Sequence, residues 1–318
     1  MANSVQIEKI SFNSIENMNQ LISGINLDSV QLNADGTPKG EMLQVSAPEI
    51  QVGFGQLNAE FRSKGIMHTD KVTLGINLCS EAKILQWGHL SMPGDVFIFP
   101  PGVEQDAVSI GEIYFATLTI SIDSLIKYGA RDMLYGDKGL WEHPYLFRTS
   151  PELYTVLRKT LMHVESQLRY PDFALSDKQL ASFQYDLVES FLCGIVYDEK
   201  RCVKKHTLSH AQIVRQAEDW MEGRIAQSIH IADLCNALDI SRRTLQRAFK
   251  NTLGMGPAHY LKLKRMSAVR AELKNLDPAI TTVTDVAMSY GFWELGRFAV
   301  EYRRIFNEKP SETLYGYF

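Results

Sequence analysis

The sequence predicts an α+β chain, with an antiparallel β unit first, then helices, then an all-helical unit toward the carboxyl end. Three observations predict it. Between Gly40 and Ile122 short apolar runs, EMLQVSA, IQVGFGQL, VTLGINL, DVFIFP and IYFATLTI, are broken by Gly, Pro, Asn and Asp. That texture belongs to many short antiparallel strands closing into a sandwich or small barrel. From Pro151 the apolar residues recur at three and four, the helical period, and the last third of the chain repeats itself.

At 318 residues and 45% hydrophobic content, the chain is long enough for two ordinary cores, drawn at 1–204 and 205–318. No apolar run approaches the roughly 18 residues of a membrane helix, and MANSVQIEKI lacks the apolar stretch of a signal peptide. A soluble cytoplasmic protein with no membrane partner is expected. Cys79, Cys193, Cys202 and Cys235 form no CxxC pair and have no zinc spacing, so buried free thiols are expected, with a redox pair at Cys193 and Cys202 as the alternative.

In the β region, Phe54, Phe61, Trp87, Phe97, Phe99, Tyr114 and Phe115 are candidates to line a pocket, although aromatics at strand spacing also make plain core. His68 and His89 are the local imidazoles, but they form no HxH pair. A metal enzyme would need clustered imidazole or carboxylate donors. No GxSxG elbow, P-loop or Rossmann fingerprint occurs either, so no enzyme, cofactor or metal is expected.

Pro151 opens a helix over PELYTVLRKTLMHVESQL, and a second runs from about Ser176 to Tyr197 with Leu180, Phe183, Leu187, Phe191 and Ile195 on one side. These helices either pack on their own β unit or form a dimer contact. The charged stretch Asp198 to His210 reads as an interdomain linker.

In Ile231 to Lys250, the residues Ile231, Leu234, Cys235 and Leu238 form an apolar stripe that stops at Asp239. A short helix, a turn and a second helix capped by Ser241 follow from it. On the second helix Leu245, Ala248 and Phe249 face a core, while Arg243, Gln246, Arg247 and Lys250 share the opposite face, with Arg242 beside them. The pattern returns in TVTDVAMSYGFWELGRFAVEYRRIF: Leu245, Phe249 and Pro257 reappear 53 positions later as Phe298, Tyr302 and Pro310. Here Leu295, Phe298, Tyr302, Ile305 and Phe306 face inward; Trp293, Gly296, Arg297, Val300, Arg303 and Arg304 face outward. Pro257 opens a helix running to about Leu273 that spaces the two motifs. Two helices about one DNA turn apart, roughly 34 Å, could enter successive major grooves.

The charge distribution agrees. Net charge is −4 overall, but from Lys205 onward the sequence carries +4 and before it −8. The basic surplus lies with the repeat, as phosphate neutralisation requires.

On these residues, about Ala211 to Leu314 resembles the DNA-binding domain of the AraC/XylS family of bacterial transcription regulators. Residues Met92 to Val103, MPGDVFIFPPGV, resemble the strand pair and turn of that family's cupin-like effector domains, which enclose a pocket; Gln105 stands where relatives commonly have His. The resemblance implies base contacts from Arg243, Gln246 and Arg247 and from Gly296, Arg297 and Val300, with Arg242, Lys250, Trp293 and Arg304 on the DNA side. Many members have Arg where this chain has Val300 and a polar residue where it has Gly296, so the first motif is expected to supply most of the discrimination. The implied partners are promoter DNA, RNA polymerase, a small-molecule effector and a second copy of the chain. The alternative is a DNA-binding regulator without an effector.

Overall fold

The structure, a computed structural model, describes residues 5–13, 26–33, 38–78, 82–129, 135–170, 176–195, 202–204, 209–227 and 229–316. Among them, strands form two antiparallel sheets. The larger runs in the order β1 (Gln6–Phe12), β3 (Lys39–Ser46), β4 (Ile50–Asn58), β11 (Glu112–Ile120), β6 (Val72–Asn77), β9 (Val96–Phe99), β12 (Tyr145–Phe147) and β13 (Cys202–Lys204). The smaller runs β2 (Asn26–Gln31), β5 (Phe61–Ile66), β10 (Glu104–Ile110), β7 (Lys83–Gln86) and β8 (His89–Ser91).

The centre of the larger sheet is covered on both faces, which is why β6 and β9 show no alternation of buried and exposed residues. Every residue of VTLGIN and VFIF is buried, where a half-solvated strand would alternate with polar residues. One face packs Leu74, Ile98 and Leu118 against Leu125 of α1 (Ile122–Tyr128), Leu161 of α3 (Pro151–Leu168) and Phe191 of α4 (Asp177–Cys193); a short α2 (Lys138–Glu142) adds Trp141 to the same core. The other face looks across at the smaller sheet. Helix α3 has the bounds the sequence predicts, because Ser150 accepts a hydrogen bond from Leu153 N at 3.3 Å and Pro151 occupies the first helical position.

Four expectations need correction. Helix α4 ends at Cys193, not near Tyr197: Gly194 follows it, and Gly194 and Ile195 donate to Phe191 and Leu192 carbonyls in tighter turns. Strands already begin at Gln6, well before Gly40. The MPGDVFIFPPGV segment holds one strand, β9, rather than a strand pair, since β10 begins only at Glu104 and lies in the other sheet. The stretch Asp198 to His210 is not wholly linker either: Cys202–Lys204 pairs with β12, and α5 (Ser209–Glu222) already contains His210.

The cysteines also divide. Cys235 is buried as expected, but Cys193 is exposed. Cys79 and the side chain of Cys202 lie outside the described residues.

The remaining helices are α6 (Ile231–Ala237), α7 (Arg242–Leu253), α8 (Pro257–Asn275), α9 (Val283–Ser289), α10 (Leu295–Phe306) and α11 (Pro310–Tyr315). Their core follows the sequence repeat. Leu245, Phe249, Phe298 and Tyr302 are all buried, and rings meet at steep angles along it: Phe249 with Tyr260 at 5.7 Å, Phe298 with Tyr302 at 5.6 Å, Tyr302 edge-on with Phe306 at 4.7 Å. Each such side chain stabilises by about 1.5–3 kcal/mol through the apolar area it removes from water. The repeat extends to the caps. Helix α7 ends on Gly254 at φ 74° and α10 on Asn307 at φ 56°, 53 positions later, both left-handed. At the start the copies diverge: Ser241 Oγ accepts from Thr244 N at 3.1 Å, whereas Glu294 makes no side-chain cap.

Candidate nucleic-acid interface

Helices α6 and α7 meet through a turn in which Asp239 takes a positive φ of 51°, and α9 and α10 meet through Gly291 at φ 81°. Leu234, Cys235, Leu245, Ala248 and Phe249 of the first pair are buried, and so are Val286, Ala287, Phe298, Tyr302, Ile305 and Phe306 of the second; Leu295 is half-buried. Burying these stripes fixes which side chains remain outside. On α7, Arg242, Arg243, Gln246, Arg247 and Lys250 are exposed; at the second motif Trp293, Gly296, Arg297, Val300, Arg303 and Arg304 are exposed.

These exposed groups are not equally available. Among the described residues Arg242, Arg243 and Arg247 have no ion-pair partner. Lys250 Nζ instead donates to Gly254 O at 2.7 Å, closing its own helix end. Arg297 lies along α10 between Glu301, with Nε 3.2 Å from Oε1, and Glu294, with Nη1 3.6 Å from Oε2. These carboxylates hold the guanidinium above its ordinary pKa. Burial alone would raise the Glu301 carboxyl, but Lys262 and Arg297 outweigh it and hold it below the usual range. Trp293 and Val300 are 72% and 70% exposed, so the second motif offers apolar surface where the first offers guanidinium groups.

Helix α8 sets the spacing. Its 19 residues are about 28 Å long. Near its start Tyr260 packs on Phe249, and Arg265 donates to Ile225 O at 3.1 Å and Gln227 O at 2.5 Å. Toward its end Arg270 donates to Glu308 at 2.8 Å, and its guanidinium lies 4.7 Å from the Phe306 ring centroid. Tyr290 donates to Glu272 at 2.7 Å, and burial together with that carboxylate pushes the phenol up to about 12, so the donor keeps its proton. Helices α7 and α10 are therefore tied to one rod.

The geometry defines a double helix-turn-helix unit of the kind that binds DNA. Residues 234–315 match the helix-turn-helix domain family, and this part of the chain is a DNA-binding domain of the AraC/XylS type. Over 102 residues the chain is 41% identical to the probable thc operon regulatory protein of Rhodococcus erythropolis, covering 32% of this chain and 31% of that one. Over 95 residues it is 38% identical to XylDLEGF operon transcriptional activator 2 of Pseudomonas putida, covering 30% and 60%. A crystal structure of a probable AraC family transcriptional regulator from Rhodopseudomonas palustris is 39% identical, with 33% of this chain and 96% of that chain covered and a TM-score of 0.31. The chain thus spans less than two thirds of the curated relatives it matches.

A second feature lies between the two sheets, where a cavity of about 160 Å³ is lined from both. Of the seven candidate aromatics, Phe61, Phe97, Phe99 and Phe115 line it. Phe54 is core on the helix side, Trp87 backs onto Phe99 at 5.3 Å, and Tyr114 points away to bond Glu165. Gln105 is in the wall, whereas His68 and His89 are not; His68 Nδ1 lies 2.8 Å from Asp70 Oδ1 instead. Among the described residues no three His, Cys, Asp or Glu side chains gather as a metal cluster would require.

The smaller sheet carries a group that sequence reasoning missed. Successive side chains on a strand point to opposite faces, so on β5 and β10 Ser63, Gln105 and Ala107 line the cavity while Arg62, Lys64, Glu104 and Asp106 face the helices. Arg62 is 3% exposed, donates to both oxygens of Glu218 on α5 at 3.1 and 2.8 Å, and lies 2.7 Å from Asp106. Tyr260 OH donates to the same Glu218 at 2.5 Å. Around this centre Lys64 pairs with Asp219, Arg215 with Glu104, and Lys264 with Asp28 at 3.2 Å. Burial raises the Asp106 carboxyl even with Arg62 beside it, and burial, then Glu218, raises the Tyr260 phenol well above its usual value. The available signal was the charged residues at 62, 64, 104 and 106, spaced by two in otherwise buried strands.

Proposed function

We propose that the chain is a sequence-specific DNA-binding regulator of transcription, acting as an activator, whose 205–318 segment reads promoter DNA while its 1–204 segment binds a small-molecule effector. The observation that carries the reading is the paired exposed faces of α7 and α10, fixed on the single rod α8. The first supplies Arg243 and Arg247 for guanine edges and Gln246 for adenine; Lys250, Arg242 and Arg304 serve phosphate. In the second, Arg297 reads a base, Gly296 allows close approach, and Val300 and Trp293 offer apolar contact to thymine methyls.

The alternating strands β5 and β10 favour an effector-controlled regulator over an effector-independent one, because the same strands wall the cavity and grip the DNA-binding helices. An effector that binds the gripped and released arrangements with different affinity would shift the balance between them. RNA polymerase and a second copy of the chain are the further partners of this reading. From the strings SRRTLQRAFKNTLGMGP, GFWELGRF and NEKPSETL we propose further a resemblance of the DNA-binding segment alone to that of a regulator of ethanolamine-utilisation operons.

The test is a mobility-shift titration of the full chain on DNA flanking its own coding sequence, at low ionic strength. Retarded DNA that is released by unlabelled specific but not unrelated duplex is expected. Loss of that discrimination in Arg243→Ala/Arg247→Ala with the fold intact would support the assigned face. Failure of the unaltered, folded chain to bind any flanking duplex would overturn the reading.

A further inference from the structure

The chemistry of the cavity walls narrows what the effector can be, given that the chain is an effector-controlled regulator as proposed above. The two walls differ. On the smaller sheet Ser63 and Gln86 both stand opposite Ala107 in register, and Gln105 lies two residues along the same face. Gln105 Nε2 donates to Ser63 Oγ at 3.0 Å and Gln86 Nε2 approaches Gln105 Oε1 at 3.4 Å, a row of neutral hydrogen-bonding groups. Each carboxamide has two N–H donors and a carbonyl acceptor, so the row has capacity beyond these two bonds. The facing sheet presents Phe97, Phe99 and Phe115, with Gly75 on β6 beside them and the polar groups Asn77 and Thr117 farther along the same face. A Cβ at Gly75 would come within 3.1 Å of the Phe99 ring, so its absence keeps that wall flat and open.

Among the described residues that line the cavity there is no Asp, Glu, Lys, Arg or His. An ion taken from water into such a site would lose its hydration without gaining a counter-charge, which is unfavourable unless it is paired. A space of about 160 Å³ is close to the roughly 150 Å³ apolar cavities that accept one benzene ring. We infer that the cavity binds an uncharged molecule of about one ring in size, its flat apolar body against Phe97 and Phe99 and a single carbonyl, amide or hydroxyl group on the Gln86–Gln105–Ser63 row. The lining disfavours a carboxylate or ammonium compound of the same shape.

Four probes of similar size separate the possibilities on the full chain at pH 7: benzamide, toluene, benzoate and benzylamine, each titrated by calorimetry and by shift of the melting temperature. Benzamide is expected to bind best, toluene next, and the two ions at least about tenfold more weakly than benzamide, the discrimination expected when charge is desolvated without a partner. Ala107→Leu fills the space and should abolish binding of both neutral probes. Gln105→Leu, nearly the same size, should bring benzamide down to the level of toluene while leaving toluene unchanged. The second variant keeps the test decisive if the first disturbs the sheet.

Benzoate or benzylamine binding as well as benzamide would overturn the inference, as would benzamide binding that survives both substitutions. A chain that retards DNA specifically yet binds none of the four probes would also overturn it, while leaving the DNA-binding reading in place. Loss of specific DNA binding together with normal benzamide selectivity would do the reverse.

Discussion

Arg62 on β5 and Glu218 on α5 are joined by two near-parallel hydrogen bonds of 3.1 and 2.8 Å, both side chains almost wholly out of solvent. This pair crosses from the sheet that walls the cavity to the helices that carry the reading faces. Its net contribution is smaller than its Coulomb energy, because burying both charges costs hydration. Removing one partner is a different matter, since it strands the other. Arg62→Met should lower unfolding stability by about 3–5 kcal/mol, and Arg62→Met/Glu218→Met should lose much less than Arg62→Met and Glu218→Met together. Urea denaturation of the four proteins checks this. Additive losses would show that the pair is not energetically coupled.

On the proposed reading the two faces should differ in what they discriminate. Arg247 has no ion-pair partner among the described residues, whereas Arg297 is held by Glu301 and Glu294 and would have to leave them to meet a base. Arg247→Ala is expected to cost about 1–3 kcal/mol on the preferred operator and to relax specificity at the base it contacts. Arg297→Ala should cost less, and Glu301→Gln should tighten binding. Titrations across operator variants give the comparison; equal losses of specificity at the two arginines would contradict it.

Binding should weaken steeply with salt, and the slope should report individual phosphate contacts. Lys250→Met is expected to reduce affinity for all duplexes alike and to lower the log–log salt slope by about 0.9. An unchanged slope would leave Lys250 only its bond to Gly254 O.

The repeated left-handed caps give a prediction about stability alone. Gly254→Ala should destabilise by about 1 kcal/mol, because alanine meets the steric cost of φ 74°. Asn307→Gly, which makes the second cap like the first, should be neutral or slightly stabilising. Ser241→Ala should cost about 1 kcal/mol through the lost bond to Thr244 N, while Glu294→Ala at the matching position should cost little. Thermal melts of the four variants test all of these.

What could be read in advance divides along the range of the interactions involved. Helix α3, the Ser241 cap and both buried stripes rest on contacts within a few residues, and local spacing is enough to find them. Strands β1, β2, β12 and β13 escaped because each is specified by its partner: Gln6 sits opposite Ser46, and Tyr145 opposite Lys204. The choice among the aromatics depended on sheet order. Phe97 and Phe99 face the cavity while Phe54 and Tyr114 face helices, and no periodicity distinguishes the two sides of a sheet buried on both. Arg62 and Glu218 are 156 residues apart, and a composition count records only that one is basic and the other acidic.

Strand β13 imposes a limit on motion. It is hydrogen-bonded to β12 up to Lys204, and α5 starts at Ser209. Even drawn straight at about 3.3–3.6 Å per residue, the intervening backbone reaches only about 17 Å. It acts as a short leash: were the charged contacts around Arg62 to open, the freed helices would remain at high effective concentration beside the face they left. Recapture would then be a unimolecular event competing with duplex capture, and the outcome would depend on how much DNA lies within that small radius.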